Sequence, residues 1–219
     1  MKIKSKLYKL SPGTYLMEFE NYFDMGMSFL KMQEYYESSN KRFLKKHFDI
    51  FEFMKYYSDK EKQNYFSYTD DFVGYNVPSW VVNQFRGRKD YNIFEKELFK
   101  NINKIKEKNF YLIAAKKGKN GVVKHEIAHA LFYNNPSYKK EMLNLVEDID
   151  IEKRKKIHTV LKKMGYGKSV YDDEIQAYCS TGLTEELEKI KGINSHMKIF
   201  KKTFNNFHKE HKKHKKEKL

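Results

Sequence analysis

Residues 110–136, FYLIAAKKGKNGVVKHEIAHALFYNNP, decide the fold class. The compact apolar run Phe110-Tyr111-Leu112-Ile113-Ala114-Ala115 reads as a strand, and KKGKNG (116–121) reads as the turn that ends it. From Val122 onward apolar residues recur up to Asn134. Pro136 cannot continue a helix and pushes Asn135 away from helical dihedrals, so 122–134 is predicted to be one helix. A single strand leading into this helix, in a chain whose other patterns are mainly helical, predicts an α+β fold, mostly helical with a small sheet before the helix.

Working outward, residues 27–37 (MSFLKMQEYYE) and 41–57 (KRFLKKHFDIFEFMKYY) space apolar side chains three and four apart, giving two amphipathic helices separated by Ser38-Ser39-Asn40. Residues 65–68 and 72–77, punctuated by Gly74 and Pro78, read as one or two short strands. Residues 92–108 form an amphipathic helix with Ile93, Leu98, Ile102 and Ile105 on its apolar side. Downstream, Ser137 is a cap for a helix over roughly 138–147, and a charged helix over about 150–164 stops at Gly165. Asp172 or Asp173 then caps a helix containing Glu174 to Ser180, with Gln176 at capping-box spacing from Asp173. A last helix near 194–207 runs into EHKKHKKEKL. The expected organisation is an N-terminal helical segment (1–60), a main domain (61–207) and a basic disordered tail (208–219).

Composition narrows the function classes. Of 219 residues, 40% are hydrophobic and 16% aromatic, enough for a core even though 33% are charged. A single cysteine, Cys179, excludes a disulfide framework and a Cys-rich zinc module; a lone cysteine on an apolar helix is read as packing. No apolar run reaches the roughly 20 residues of a membrane span and no signal peptide is evident, so a soluble, cytoplasmic protein is expected. The net charge is +15, with four lysines in residues 1–10 and six in 208–219. Only Arg42, Arg86, Arg88 and Arg154 are arginines, which argues against bidentate base reading. Non-specific polyanion contact through the Lys-rich ends stays open.

The 122–134 helix carries His125-Glu126-Ile127-Ala128-His129. Residues four apart lie on one helical face, so both imidazoles can grip one ion. Glu126 sits about 100° around the helix, placed to reach a metal-bound water rather than to be a third ligand. Two histidines and a glutamate are expensive to bury on a helix this apolar unless they serve a site. The plainer alternative is a pair of core histidines bonded to backbone. A catalytic zinc takes three protein ligands and a water. Tyr171-Asp172-Asp173-Glu174-Ile175-Gln176-Ala177 offers a carboxylate 45 residues beyond His129. Ala177, one turn past Glu174, is small enough to let the two helices approach. Asp172 and Asp173 are rivals as ligands or as partners of the histidines, and Glu174 as a mere helix-start carboxylate is the plainer reading.

H-E-x-x-H followed by E-x-x-A resembles the glutamate-type zincins, the gluzincins, over residues 110–180, and HEIAHAL is similar to phage-type metallopeptidases that cleave repressors. The resemblance implies a zincin-like catalytic domain holding one Zn2+ per chain, with His125, His129 and Glu174 as ligands and Glu126 as general base. It implies a zinc-dependent metallopeptidase acting on peptide or protein substrates, with strand 110–115 as the edge on which an extended peptide pairs; a buried strand with no ligand contact is the equal alternative. Tyr166, Tyr171, Tyr178 and His196 are candidates for an oxyanion donor; the tail histidines His208, His211 and His214 are expected to be solvated. The alternative is a proteolytically inactive scaffold binding a protein partner or nucleic acid through its basic ends.

Overall fold

The computed structural model describes residues 3–211 and 216–219, without the side chains of residues 210 and 211. In chain order the elements are β1 (Ser5–Ser11), β2 (Thr14–Phe19), α1 (Tyr22–Glu37), α2 (Ile50–Glu61), α3 (Tyr68–Asp71), β3 (Gly74–Pro78), α4 (Ser79–Phe85) and α5 (Ile93–Ile102). There follow β4 (Tyr111–Lys116), α6 (Asn120–Asn134), α7 (Pro136–Glu147), α8 (Ile151–Lys163), α9 (Tyr171–Thr181), α10 (Glu185–Glu188), α11 (Asn194–His211) and β5 (Glu217–Lys218). The protein is α+β, mainly helical, with a mixed sheet ordered β3-β4-β2-β1-β5. β2 and β4 are parallel, and the other neighbouring pairs are antiparallel. Among the described residues no helix is long and apolar enough to cross a membrane.

The apolar run at 110–115 is buried on both faces of the sheet, which is why it lacks polar alternation. Leu112 and Ala114 enter a core with α1, α2 and α5; Tyr111, Ile113 and Ala115 enter a second core with α6, α7, α9 and α11. β4 is therefore not the edge expected from the sequence. Both its sides are paired, and the edge next to it is β3.

The 1–60 segment departs from the helical expectation. Residues 5–19 form the β1–β2 hairpin around Pro12-Gly13, and β2 pairs along β4 from Thr14 to Phe19, so this segment builds the middle of the sheet. The helix expected from residue 41 starts at Ile50, because the Asp49 carboxylate caps the amides of Phe51 and Glu52. Of the one or two short strands expected between 65 and 77, one forms, β3, while residues 68–71 make a helical turn.

Downstream, α6 ends at Asn134 as expected. The cap of α7 is Asn135 rather than Ser137, with Asn135 Oδ1 accepting from the Tyr138 amide at 3.0 Å and Pro136 in the first turn. Gly165, at φ 98°, adopts the left-handed conformation that closes α8. The tail expected to be disordered is ordered where it is described. Residues 208–211 continue α11, His208 is buried, and 217–218 pair with β1. Residues 212–215, including His214, and the His211 side chain lie outside the described residues.

Candidate metal centre

The centre is assembled from α6 and α9, with β3 behind it. The first two ligand candidates are one turn apart on α6, as the i, i+4 spacing requires. His125 Nε2 and His129 Nε2 stand 3.3 Å apart. Glu174, in the first turn of α9, brings Oε1 to 3.7 Å from His129 Nε2. One ligand atom from each of His125, His129 and Glu174 lies within 4.8 Å of the others, and among the described residues this is the group of metal-binding type. Ala128, Ala130 and Ala177 are fully buried in the core shared by the two helices, consistent with a close α6–α9 approach.

The tautomers of both histidines follow from their other nitrogens. Thr181 spends its one hydroxyl proton on the Ala177 carbonyl (2.7 Å), so at 3.0 Å from His125 Nδ1 it accepts, and Nδ1 carries the proton. His129 Nδ1 donates to Asp173 Oδ1 at 2.9 Å. With both rings neutral, the two Nε2 lone pairs face each other at 3.3 Å, a contact that needs a positive charge: a proton on His129 Nε2, which the Asp173 and Glu174 carboxylates favour, or a cation between the rings. Two imidazoles on one tetrahedral zinc at about 2.0–2.1 Å stand about 3.3–3.4 Å apart, so the spacing fits that ion. Glu174 Oε2 is buried with no hydrogen-bond partner among the described residues, a second atom that a cation would satisfy.

Electrostatics agree. Burial, with the neighbouring His129, lowers His125 to about 3, leaving it neutral and able to ligate. For His129, burial opposes the charged form, but the Asp173 and Glu174 carboxylates outweigh it and raise its proton affinity well above the usual imidazole value. Glu174 is pushed up to about 8, first by burial, with the His129 imidazole opposing and the Asp173 and Glu126 charges adding to it. The pocket is short of positive charge.

Asp173 is not the helix cap that the sequence suggested. α9 begins at Tyr171, so Asp173 lies inside its first turn, where it accepts from His129 and from Gln176 Nε2 (2.8 Å). Gln176 in turn accepts from the Tyr138 hydroxyl at 2.7 Å, so α7 braces the ligand through two intermediaries.

Glu126 is buried on the β3 side of α6. Strand residues alternate faces, and Gly74 and Asn76 look toward α6, while Tyr75 and Val77 enter the other core. Asn76 Nδ2 donates to Glu126 Oε2 at 2.8 Å, and the Tyr111 hydroxyl donates to Asn76 Oδ1 at 2.5 Å. A Cβ on Gly74 would stand 2.4 Å from Glu126 Oε1, so only glycine admits the carboxylate. Burial raises the Glu126 pKa, its largest perturbation.

Of the oxyanion candidates, Tyr166 and Tyr178 line the same cleft, their hydroxyls 2.9 Å apart and the Tyr178 ring 4.7 Å from that of His125. Tyr171 instead packs on His158, and His196 meets Lys153. Cys179 is buried, and burial pushes its thiol up to about 12, in keeping with packing. The cleft, about 420 Å3, also takes Gln33, Glu34 and Glu37 from α1 and Phe53, Tyr56 and Tyr57 from α2. Sequence reasoning missed all six as site residues, along with Asn76 and Tyr111. A glycine inside a strand pattern was the one available signal for the contact at Gly74.

Comparison with protein-family models, with curated proteins and with solved structures gave no match.

Proposed function

We propose that the protein is a zinc-dependent metallopeptidase of the glutamate-zincin type, with His125, His129 and Glu174 holding one Zn2+ and Glu126 as general base. The observation that carries this reading is the pair of imidazole Nε2 atoms 3.3 Å apart, at the spacing of two ligands on one tetrahedral ion, beside a buried carboxylate with an unpartnered oxygen. Zinc bound there supplies a Lewis acid for the scissile carbonyl and lowers the pKa of a water toward ~7.

The remaining work falls to the chain. Glu126 takes the proton of the attacking water and returns it to the leaving amine; its raised proton affinity suits both steps. Asn76, itself held by Tyr111, fixes the carboxylate oxygen that does not face Gly74. Tyr166 and Tyr178 supply hydroxyl donors on the α9 side for the negative charge that develops on the carbonyl oxygen. The outer side of β3 carries no strand partner among the described residues, and an extended peptide pairs there by main-chain hydrogen bonds.

The test is Glu126→Gln. The variant is expected to keep wild-type zinc content while peptide hydrolysis falls by about 10^2–10^4-fold. Undiminished hydrolysis would remove Glu126 as the base, and no cleavage of any peptide library by zinc-loaded wild type would remove the proposal in favour of a non-proteolytic scaffold.

A further inference from the structure

The cleft continues beyond the metal centre, and its far arm has a different chemistry. Gly74 abuts Glu126, so the chain running back through Val73 and Phe72 to Asp71 leads away from the centre over at most about 10 Å. On α1, Glu37 feels the Glu174 charge, and Glu34 lies one turn further out. Between these two strips α2 inserts Phe53, Tyr56 and Tyr57.

The charge of this cleft runs against that of the protein. The chain carries +15, yet six carboxylates and two lysines line the cleft. A dication would offset Glu126 and Glu174, and Lys60 pairs with Glu61 at 2.6 Å. Glu34, Glu37 and Asp71 are then left against Lys163 and the weaker pull of Lys60 on Glu34. Burial raises the proton affinity of Glu34 and outweighs the opposing contributions of Ser38, Tyr68 and Lys60.

The hydrogen bonds point to a missing donor. Asp71 uses Oδ2 to accept from Tyr57 (2.8 Å) and Ser67 (2.9 Å). Gln33 lines the same cleft and is nine-tenths buried. Its Nε2 donates to Glu37 at 2.6 Å, while its Oε1 finds no donor among the described residues. Ammonium and guanidinium are donor-only groups. At the rim, Lys60 already lies 5.2 Å over the Tyr57 ring, so these rings accept a cation from the chain itself.

We infer that this arm is a subsite for a lysine or arginine side chain of the peptide, its charge between Glu34 and Asp71 and its stem against the rings of α2. The inference rests on the peptidase reading for what carries the cation, and on the cleft alone for the charge preference.

Binding of blocked hexapeptides to the full-length zinc-loaded Glu126→Gln protein tests it. One lysine is moved through an otherwise neutral sequence and compared with norleucine and glutamate at the same position. At one position lysine should bind about tenfold tighter than norleucine or more. The advantage should shrink severalfold in Asp71→Asn, whose amide oxygen can still accept from Tyr57 and Ser67, and again in Glu34→Gln, each variant first shown to be folded by thermal unfolding. No lysine preference at any position, tighter binding of the glutamate peptides as the net charge alone dictates, or a preference that survives Asp71→Asn would overturn the inference. Wild type separates the two claims. A lysine preference with every peptide left uncut sinks the peptidase reading and keeps the subsite; cleavage indifferent to lysine does the reverse.

Discussion

On the α6–α9 wall the cleft presents His125, Glu126, His129 and Glu174, and each of the two imidazoles is oriented through its outer nitrogen, by Thr181 or Asp173. On the facing wall, α1, α2 and the approach to β3 present Phe53, Tyr56, Tyr57 and Phe72 with carboxylates set among them. The first wall is a set of side chains of metal-binding type that converge on one point and are held from behind by hydrogen bonds. The second is a packed aromatic surface whose polar atoms are only partly paired. On the proposed function the first wall positions the reaction and the second recognises what is brought to it, so substitutions on either wall should leave the other's property standing.

The largest effect that isolates the first wall is at its contact with β3. Gly74→Ala places a methyl group 2.4 Å from Glu126 Oε1, so the carboxylate must move. Hydrolysis is expected to fall by about 10^2-fold, the usual consequence of an ångström-scale misplacement, with zinc content unchanged. Equal activity in steady-state assays would mean that Glu126 does not need the position it holds.

Next comes the bond behind His129. Asp173→Ala leaves a buried Nδ1–H without its 2.9 Å acceptor and frees the ring to turn. Zinc affinity, read by competition with a chelator, should drop about 10–100-fold, while the lysine preference of the far arm is retained in peptide binding. An unchanged affinity would reduce Asp173 to a surface carboxylate.

The smallest effect lies away from both walls. Lys216 pairs with Glu18 at 3.1 Å and sits 3.8 Å over the Tyr8 ring, tying the last strand to the sheet. With both side chains of the ion pair partly exposed, Lys216→Ala should cost no more than about 1 kcal/mol in denaturant unfolding and alter neither zinc content nor cleavage. A larger loss would mean that the C-terminal strand does more than cover the edge of β1.

The same contrast explains what could be read in the sequence. The His125–Glu126–His129 grouping was legible because its residue types are costly to bury on an apolar helix, and because helical geometry turns the spacing of His125 and His129 into a shared face. Glu174 was reachable as a carboxylate at the start of a later helix with the small Ala177 one turn on, and its rival Asp173 stands behind His129 instead. The aromatic wall was not legible. Its parts come from α1, α2 and the strand at 74–78, each of which reads alone as an ordinary amphipathic or apolar segment. The β1–β2 hairpin was missed for a related reason: its lysine-rich pattern resembles a solvated terminus until pairing with β4 buries Tyr15, Met17 and Phe19. Strand 110–115 was recognised, but sequence does not encode its neighbours, and its place inside the sheet moves the free edge to β3.

Metal analysis of purified wild type beside Glu174→Ala tests the central claim most directly. One zinc per wild-type chain is predicted, with affinity reduced at least about 10^2-fold in the variant, beyond what loss of an outer partner costs. Wild type that takes up no divalent metal, or a variant that binds zinc as tightly as wild type, would contradict convergence of His125, His129 and Glu174 on one ion.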